Sequence, residues 1–131
     1  MNEDFVSFEL AKKLKEKGFP QYTEKSYFVG DHKKRMCSVG TFLHVHTQNT
    51  EHLIAAPTIS QVLKWLREKG IFIEIHVHAT FATKNKVAYW CRICRNSNGV
   101  SIEQIDELEA AYSDYEKAAM GGIEYCLDNL I

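Results

Sequence analysis

Thr58-Ile59-Ser60-Gln61-Val62-Leu63-Lys64-Trp65-Leu66-Arg67-Glu68-Lys69-Gly70-Ile71-Phe72-Ile73-Glu74-Ile75-His76-Val77-His78 changes its hydrophobic period halfway along, and that change decides the fold class. Before Gly70, the apolar residues Ile59, Val62, Leu63 and Leu66 recur every three to four positions, the stripe of an amphipathic helix running from Pro57 to Lys69. Thr58 to Gln61 has the form of a capping box, and Gly70 stands where a helix ends in the left-handed conformation. Trp65 flanks the stripe by one position, so its ring is expected over the edge of the core beside Leu66. After Gly70 the period becomes two: Ile71, Ile73, Ile75 and Val77 form one aliphatic side of a strand, and Phe72, Glu74, His76 and His78 form the other.

Working outward, a turn at about Ala82 to Lys86 leads into a second strand, Val87 to Ile93, so this half of the chain closes as a hairpin. Upstream, Ser7 is placed to cap a first helix that Gly18 ends. Ser26 to Val29 and about Met36 to Thr47 then read as the arms of another hairpin around the turn Gly30-Asp31-His32-Lys33. Downstream, Ser113-Asp114-Tyr115-Glu116 has capping-box form and opens a long helix, whose Tyr115, Ala118, Ala119, Gly122, Ile123, Cys126, Leu127 and Leu130 share one face. Gly121-Gly122 in that helix marks close packing on the sheet or a kink. Ser101 to Ala111 is expected as a further short helix, from the capping form at Ser101 and the spacing of Ile102, Ile105 and Leu108. The order α-ββ-α-ββ-α predicts an α+β fold. A single domain over residues 1–131 would hold a sheet of about four strands, with helices packed mainly on one face and the other face open.

The bulk properties narrow the function. With 131 residues and 45% apolar side chains, one core is affordable. Sixteen basic residues against seventeen acidic give a net charge of −1, so no global field draws the chain to nucleic acid or to an anionic membrane. The lysines of the first helix stand among Glu9 and Glu16 and read as a solvated face. No apolar run approaches a membrane span and the acidic start is unlike a signal peptide, which predicts a cytoplasmic protein with no membrane partner. Cys37, Cys91, Cys94 and Cys126 are then expected as reduced thiols packed as small hydrophobes. Cys91-Arg92-Ile93-Cys94 has the spacing of a zinc or redox motif, but on a strand residues three apart face opposite sides.

If the aliphatic sides of the strands face the core, the open face collects Phe42, His44, His46, Phe72, Glu74, His76, His78, Trp90 and Arg92. The bland reading makes the histidines polar filler on exposed strand positions. A second reading makes the face a contact surface for a protein partner or for another copy of the chain, with Phe72, Trp90 and Arg92 as the contact residues, because interfaces favour aromatics and arginine. A third uses His44, His46, His76 and His78, two His-Val-His tripeptides, as ligands to zinc or a similar ion, which requires their strands to be neighbours. Single-stranded nucleic acid could stack on the same aromatics, but phosphate-binding charge is confined to Lys33-Lys34-Arg35, Lys84 and Lys86. The sequence holds no glycine-rich phosphate loop, no Gly-x-Ser-x-Gly and no His-Glu-x-x-His, so no catalytic residue is assigned.

Three blocks, Val6 to Phe19, Ala56 to Gly70 with its isoleucine-rich strand, and Tyr115 to Ile131, cover about half the chain. In them the sequence resembles a set of small uncharacterised α+β proteins of gut-bacterial phages and mobile elements. The resemblance implies a phage or prophage accessory setting and carries no known activity or functional residue.

Overall fold

The structure is a computed structural model and describes residues 4–21, 23–29, 36–38, 53–77, 88–97 and 101–131. By internal contacts the chain divides into two compact units, Met1–Thr58 and Ile59–Ile131. Among the described residues, no helix is long and apolar enough to cross a membrane.

The first unit contains α1 (Phe8–Glu16), β1 (Lys25–Phe28), β2 (Met36–Ser38) and β3 (Leu53–Ala55). Ser7 caps α1 as expected, its hydroxyl accepting from the Leu10 amide at 3.3 Å. Gly18, at φ +88°, turns the chain out of the helix, and the next amide, Phe19, donates to the Leu14 carbonyl at 2.9 Å. Leu10, Ala11 and Leu14 form the buried face of α1 and share the unit's core with Val6, Phe19, Tyr27 and Ile54. The Tyr27 hydroxyl satisfies itself inside that core by donating to the Val6 carbonyl, and the Phe8 ring meets the Tyr27 ring edge-on at 5.6 Å. β1 is the centre of an antiparallel sheet of order β2-β1-β3, with Ser26 opposite Cys37 on one side and Ala55 on the other. The hairpin expected here is present in β1 and β2; its turn at 30–33 and the arm beyond Ser38 lie outside the described residues.

The second unit contains α2 (Ile59–Glu68), β4 (Ile71–Val77), β5 (Tyr89–Ser97), β6 (Ser101–Tyr112) and α3 (Tyr115–Asn129). Ile59, Val62 and Leu66 of α2 are buried, Trp65 is half-buried with the Lys69 ammonium 4.7 Å from its ring centroid, and Gly70 ends the helix at φ +79°. β4 and β5 pair antiparallel from Ile71 opposite Arg95 to Val77 opposite Tyr89. The cap of α3 falls one residue later than Ser113. Asp114 accepts from the Lys117 amide at 2.7 Å and places a carboxylate at the positive end of the helix. Ala118, Ala119, Gly122, Ile123, Cys126 and Leu127 are buried as the spacing predicts, whereas Tyr115, expected on the same face, is 46% exposed at the start of the helix; α3 packs on β4 and β5.

Two features differ from expectation. Ser101 to Ala111 is not a helix: it forms most of β6, which adds to the outer side of β5 with Ser97 opposite Ser101 and Tyr89 opposite Tyr112. The register slips between Ile93 and Cys94 and again between Tyr89 and Cys91. Such bulges reset the two-residue alternation, so apolar residues three apart lose their value as a sign of helix. The strands are also divided. Six are found among the described residues, three in each of two sheets, because the three-residue β3 and the bulged β6 add one strand to each half. The α+β class and the alternation of helices with antiparallel strands stand.

The glycine pair of α3 answers to close packing. A Cβ on Gly122 would lie 2.9 Å from Ile73 Cγ2 and 3.3 Å from Cys91 Sγ, both beneath the helix, whereas a Cβ on Gly121 would meet the phenol end of the half-exposed Tyr112. Alanine gains about 1 kcal/mol of helix propensity at either position. At Gly122 overpacking against a β-branched side chain costs about 1–3 kcal/mol and wins. Gly122→Ala should therefore lower the thermal midpoint, while Gly121→Ala, which Tyr112 can accommodate by swinging outward, should leave it near the parent value. Equal shifts for the two would show that α3 does not seat on β4 and β5 at Gly122.

Candidate functional site

The pairing of β4 with β5 sorts their side chains into two sets. Ile73 opposite Ile93 and Ile75 opposite Cys91 turn towards α3, and Ile93 and Cys91 are fully buried. Phe72 opposite Cys94, Glu74 opposite Arg92, and His76 opposite Trp90 occupy the other side, as the alternation predicts. That side is open to solvent: the side chains of Glu74, His76 and Arg92 are 48%, 40% and 35% exposed. Phe72 and Trp90 are half-buried.

Four of these residues contact one another in a ring. The His76 imidazole stacks on the Trp90 indole with centroids 4.6 Å apart and planes 21° from parallel. The Arg92 guanidinium lies 5.4 Å from the indole centroid, and Glu74 Oε2 reaches back to His76 Nε2 at 3.3 Å and to Arg92 Nη1 at 3.5 Å. These are half-exposed contacts, each worth no more than about 1 kcal/mol to stability. Together they brace the indole from His76 on one side and Arg92 beside it. Phe72 continues the apolar surface towards the buried Cys94, whose thiol is pushed up by burial, with Glu74 adding to the rise and Arg92 opposing it.

Of the expected contact residues, then, Trp90 and Arg92 touch each other, and Phe72 shares their side two positions along. Of the four histidines proposed as metal ligands, only His76 is described; His44, His46 and His78 lie outside the described residues. Among the described residues no group of three or more His, Cys, Asp or Glu side chains could hold a metal ion. Cys91, Cys94 and Cys126 are buried and form no disulfide. Cys91 packs under α3 while Cys94 lies on the opposite side beside Phe72, so the Cys-x-x-Cys spacing does not bring the two thiols together. Burial and the neighbouring Cys91 push the Cys126 thiol up to about 12, which leaves it protonated and unreactive as a nucleophile.

Sequence reasoning missed one feature beside this face. Leu63 and Arg67 of α2 line a groove with Phe72, Ile73 and Glu74 of β4 and Cys94 of β5. Leu63 and Arg67 stand four apart and are neighbours on α2, but nothing in the sequence says that β4 and Cys94 lie against them. No protein-family model, curated protein or solved structure matches this chain.

Proposed function

We propose that the chain is a small accessory protein of the phage or prophage kind that acts by binding a protein, or another copy of itself, through the outer side of β4 and β5. The observation that carries this reading is the pose of Trp90: a half-exposed indole braced by His76 and Arg92 on the side of the strands away from α3. Braced aromatic and arginine side chains are the usual anchors of protein interfaces. The charges of this side, Arg92 against Glu74, nearly cancel, which suits a protein surface better than a polyphosphate backbone. The resemblance to small proteins of gut-bacterial phages and mobile elements supports the accessory setting.

Trp90→Ala should weaken self-association in sedimentation velocity, or binding to an isolated partner, by more than about tenfold, as expected for an anchor contributing roughly 2 kcal/mol. Its thermal unfolding should stay close to that of the parent, because Cys91 and Ile93 keep β5 seated under α3. Unchanged association, or an unfolded variant, would remove Trp90 from the contact and with it this reading.

A further inference from the structure

We infer that the groove beside α2 binds a free α-amino acid with a branched aliphatic side chain, its carboxylate held by Arg67 and its ammonium by Glu74. Such a ligand needs no partner protein, so this site stands or falls apart from the contact proposed for Trp90. Two groups of opposite charge line the groove, Arg67 from the last turn of α2 and Glu74 from β4. They form no ion pair with each other, and Arg67 makes no ion pair or hydrogen bond among the described residues. Glu74 is engaged through one oxygen alone: His76 and Arg92 both meet its Oε2, and Oε1 has no partner among the described residues. A carboxylate without an amine would meet Arg67 but also face Glu74, and an amine without a carboxylate would meet Glu74 but also face Arg67. A zwitterion is attracted by both.

The rest of the lining decides the side chain. Leu63, Phe72 and the buried Cys94 present apolar surface, and burial keeps the Cys94 thiol protonated, so it adds no charge. The groove holds about 190 Å³, more than the roughly 150 Å³ that suffices to take up benzene in a dry apolar cavity. One branched aliphatic side chain fits that space. Arg67 and Glu74 are exposed, which puts both charges at the mouth of the groove, where the polar end of the ligand keeps contact with water. Apolar walls with a few converging polar groups are the common form of a small-molecule site.

The test is an NMR titration of the full chain with L-leucine and with two analogues that keep the aliphatic group and one charge each, isocaproate and isoamylamine. L-leucine should move the signals of Leu63, Phe72 and Cys94 along a saturating curve, and each analogue should bind about fivefold more weakly, the loss of one exposed charged contact. Glycine, which keeps both charges and lacks the side chain, should bind at least about tenfold more weakly. Arg67→Gln should erase the advantage of leucine over isoamylamine and keep its advantage over isocaproate, and Glu74→Gln should do the reverse. Both positions are exposed, so the two variants should melt like the parent. Trp90→Ala should leave leucine affinity unchanged, which separates this site from the Trp90 contact. Equal affinity for leucine and the two analogues, saturating shifts that avoid the groove, or no saturating shift would overturn the inference. Loss of leucine binding in Trp90→Ala would overturn it as well, by assigning the ligand to the Trp90 face.

Discussion

Ile123→Asp is expected to abolish the folded state of the Ile59–Ile131 unit, read as loss of its cooperative thermal transition. Ile123 is fully buried at the middle of the α3 face that includes Ala119, Cys126 and Leu127. The substitution removes an aliphatic side chain from a packed core, about 2–5 kcal/mol if judged as a truncation, and adds a carboxylate whose desolvation costs several kcal/mol more without a partner. Small domains have only about 5–15 kcal/mol of stability in all, so the sum matches or exceeds what is available. Ile123→Val, which removes one methylene from the same place, should cost about 0.5–1.5 kcal/mol and retain a cooperative melt. If the aspartate variant melted like the parent, α3 would not be seated by this face.

Where local chemistry and tertiary packing agree, the chain can be read directly. Ser7, Gly18 and Gly70 act where they stand because a cap or a left-handed turn is satisfied within a few residues of the backbone. The middle of the α3 and β4 faces follows from period, since each element packs one side against a partner, but the partner does not reach Tyr115 at the start of α3 or Val77 at the end of β4, which stay exposed. Ser101 to Ala111 shows the opposite case. Its serine-led capping form and three-residue spacing are local signals for a helix, but the unpaired side of β5 offers nine residues of backbone a hydrogen-bonded partner. Tertiary pairing outweighs a propensity difference that spans about 1 kcal/mol per residue.

The candidate site was half legible for the same reason. Alternation puts Phe72, Glu74, His76, Trp90 and Arg92 on one side, but it says nothing about register. Only the pairing of His76 with Trp90 and of Glu74 with Arg92 turns a set of outward residues into a connected ring.

Gln21→Leu should cost the first unit about 3 kcal/mol, an effect no feature of the sequence announces. Gln21 is 6% exposed and spans two buried backbone groups: its Nε2 donates to the Phe19 carbonyl and its Oε1 accepts from the Ala55 amide, both at 3.0 Å. The Ala55 amide points away from β1, because β3 is the outer strand of its sheet and the next amide, Ala56, already donates inward to the Lys25 carbonyl. Gln21 thus stands where a fourth strand would, and ties the segment after α1 to the edge of β3. Leucine has a similar size and opens no large cavity, so the loss isolates the two hydrogen bonds. Each backbone group left unpaired inside the protein costs about 1–3 kcal/mol. The urea midpoint should fall with an unchanged slope, and the Ala55 amide should exchange faster with solvent. A variant within about 0.5 kcal/mol of the parent would mean that water reaches both groups and that the glutamine is not what holds this edge closed.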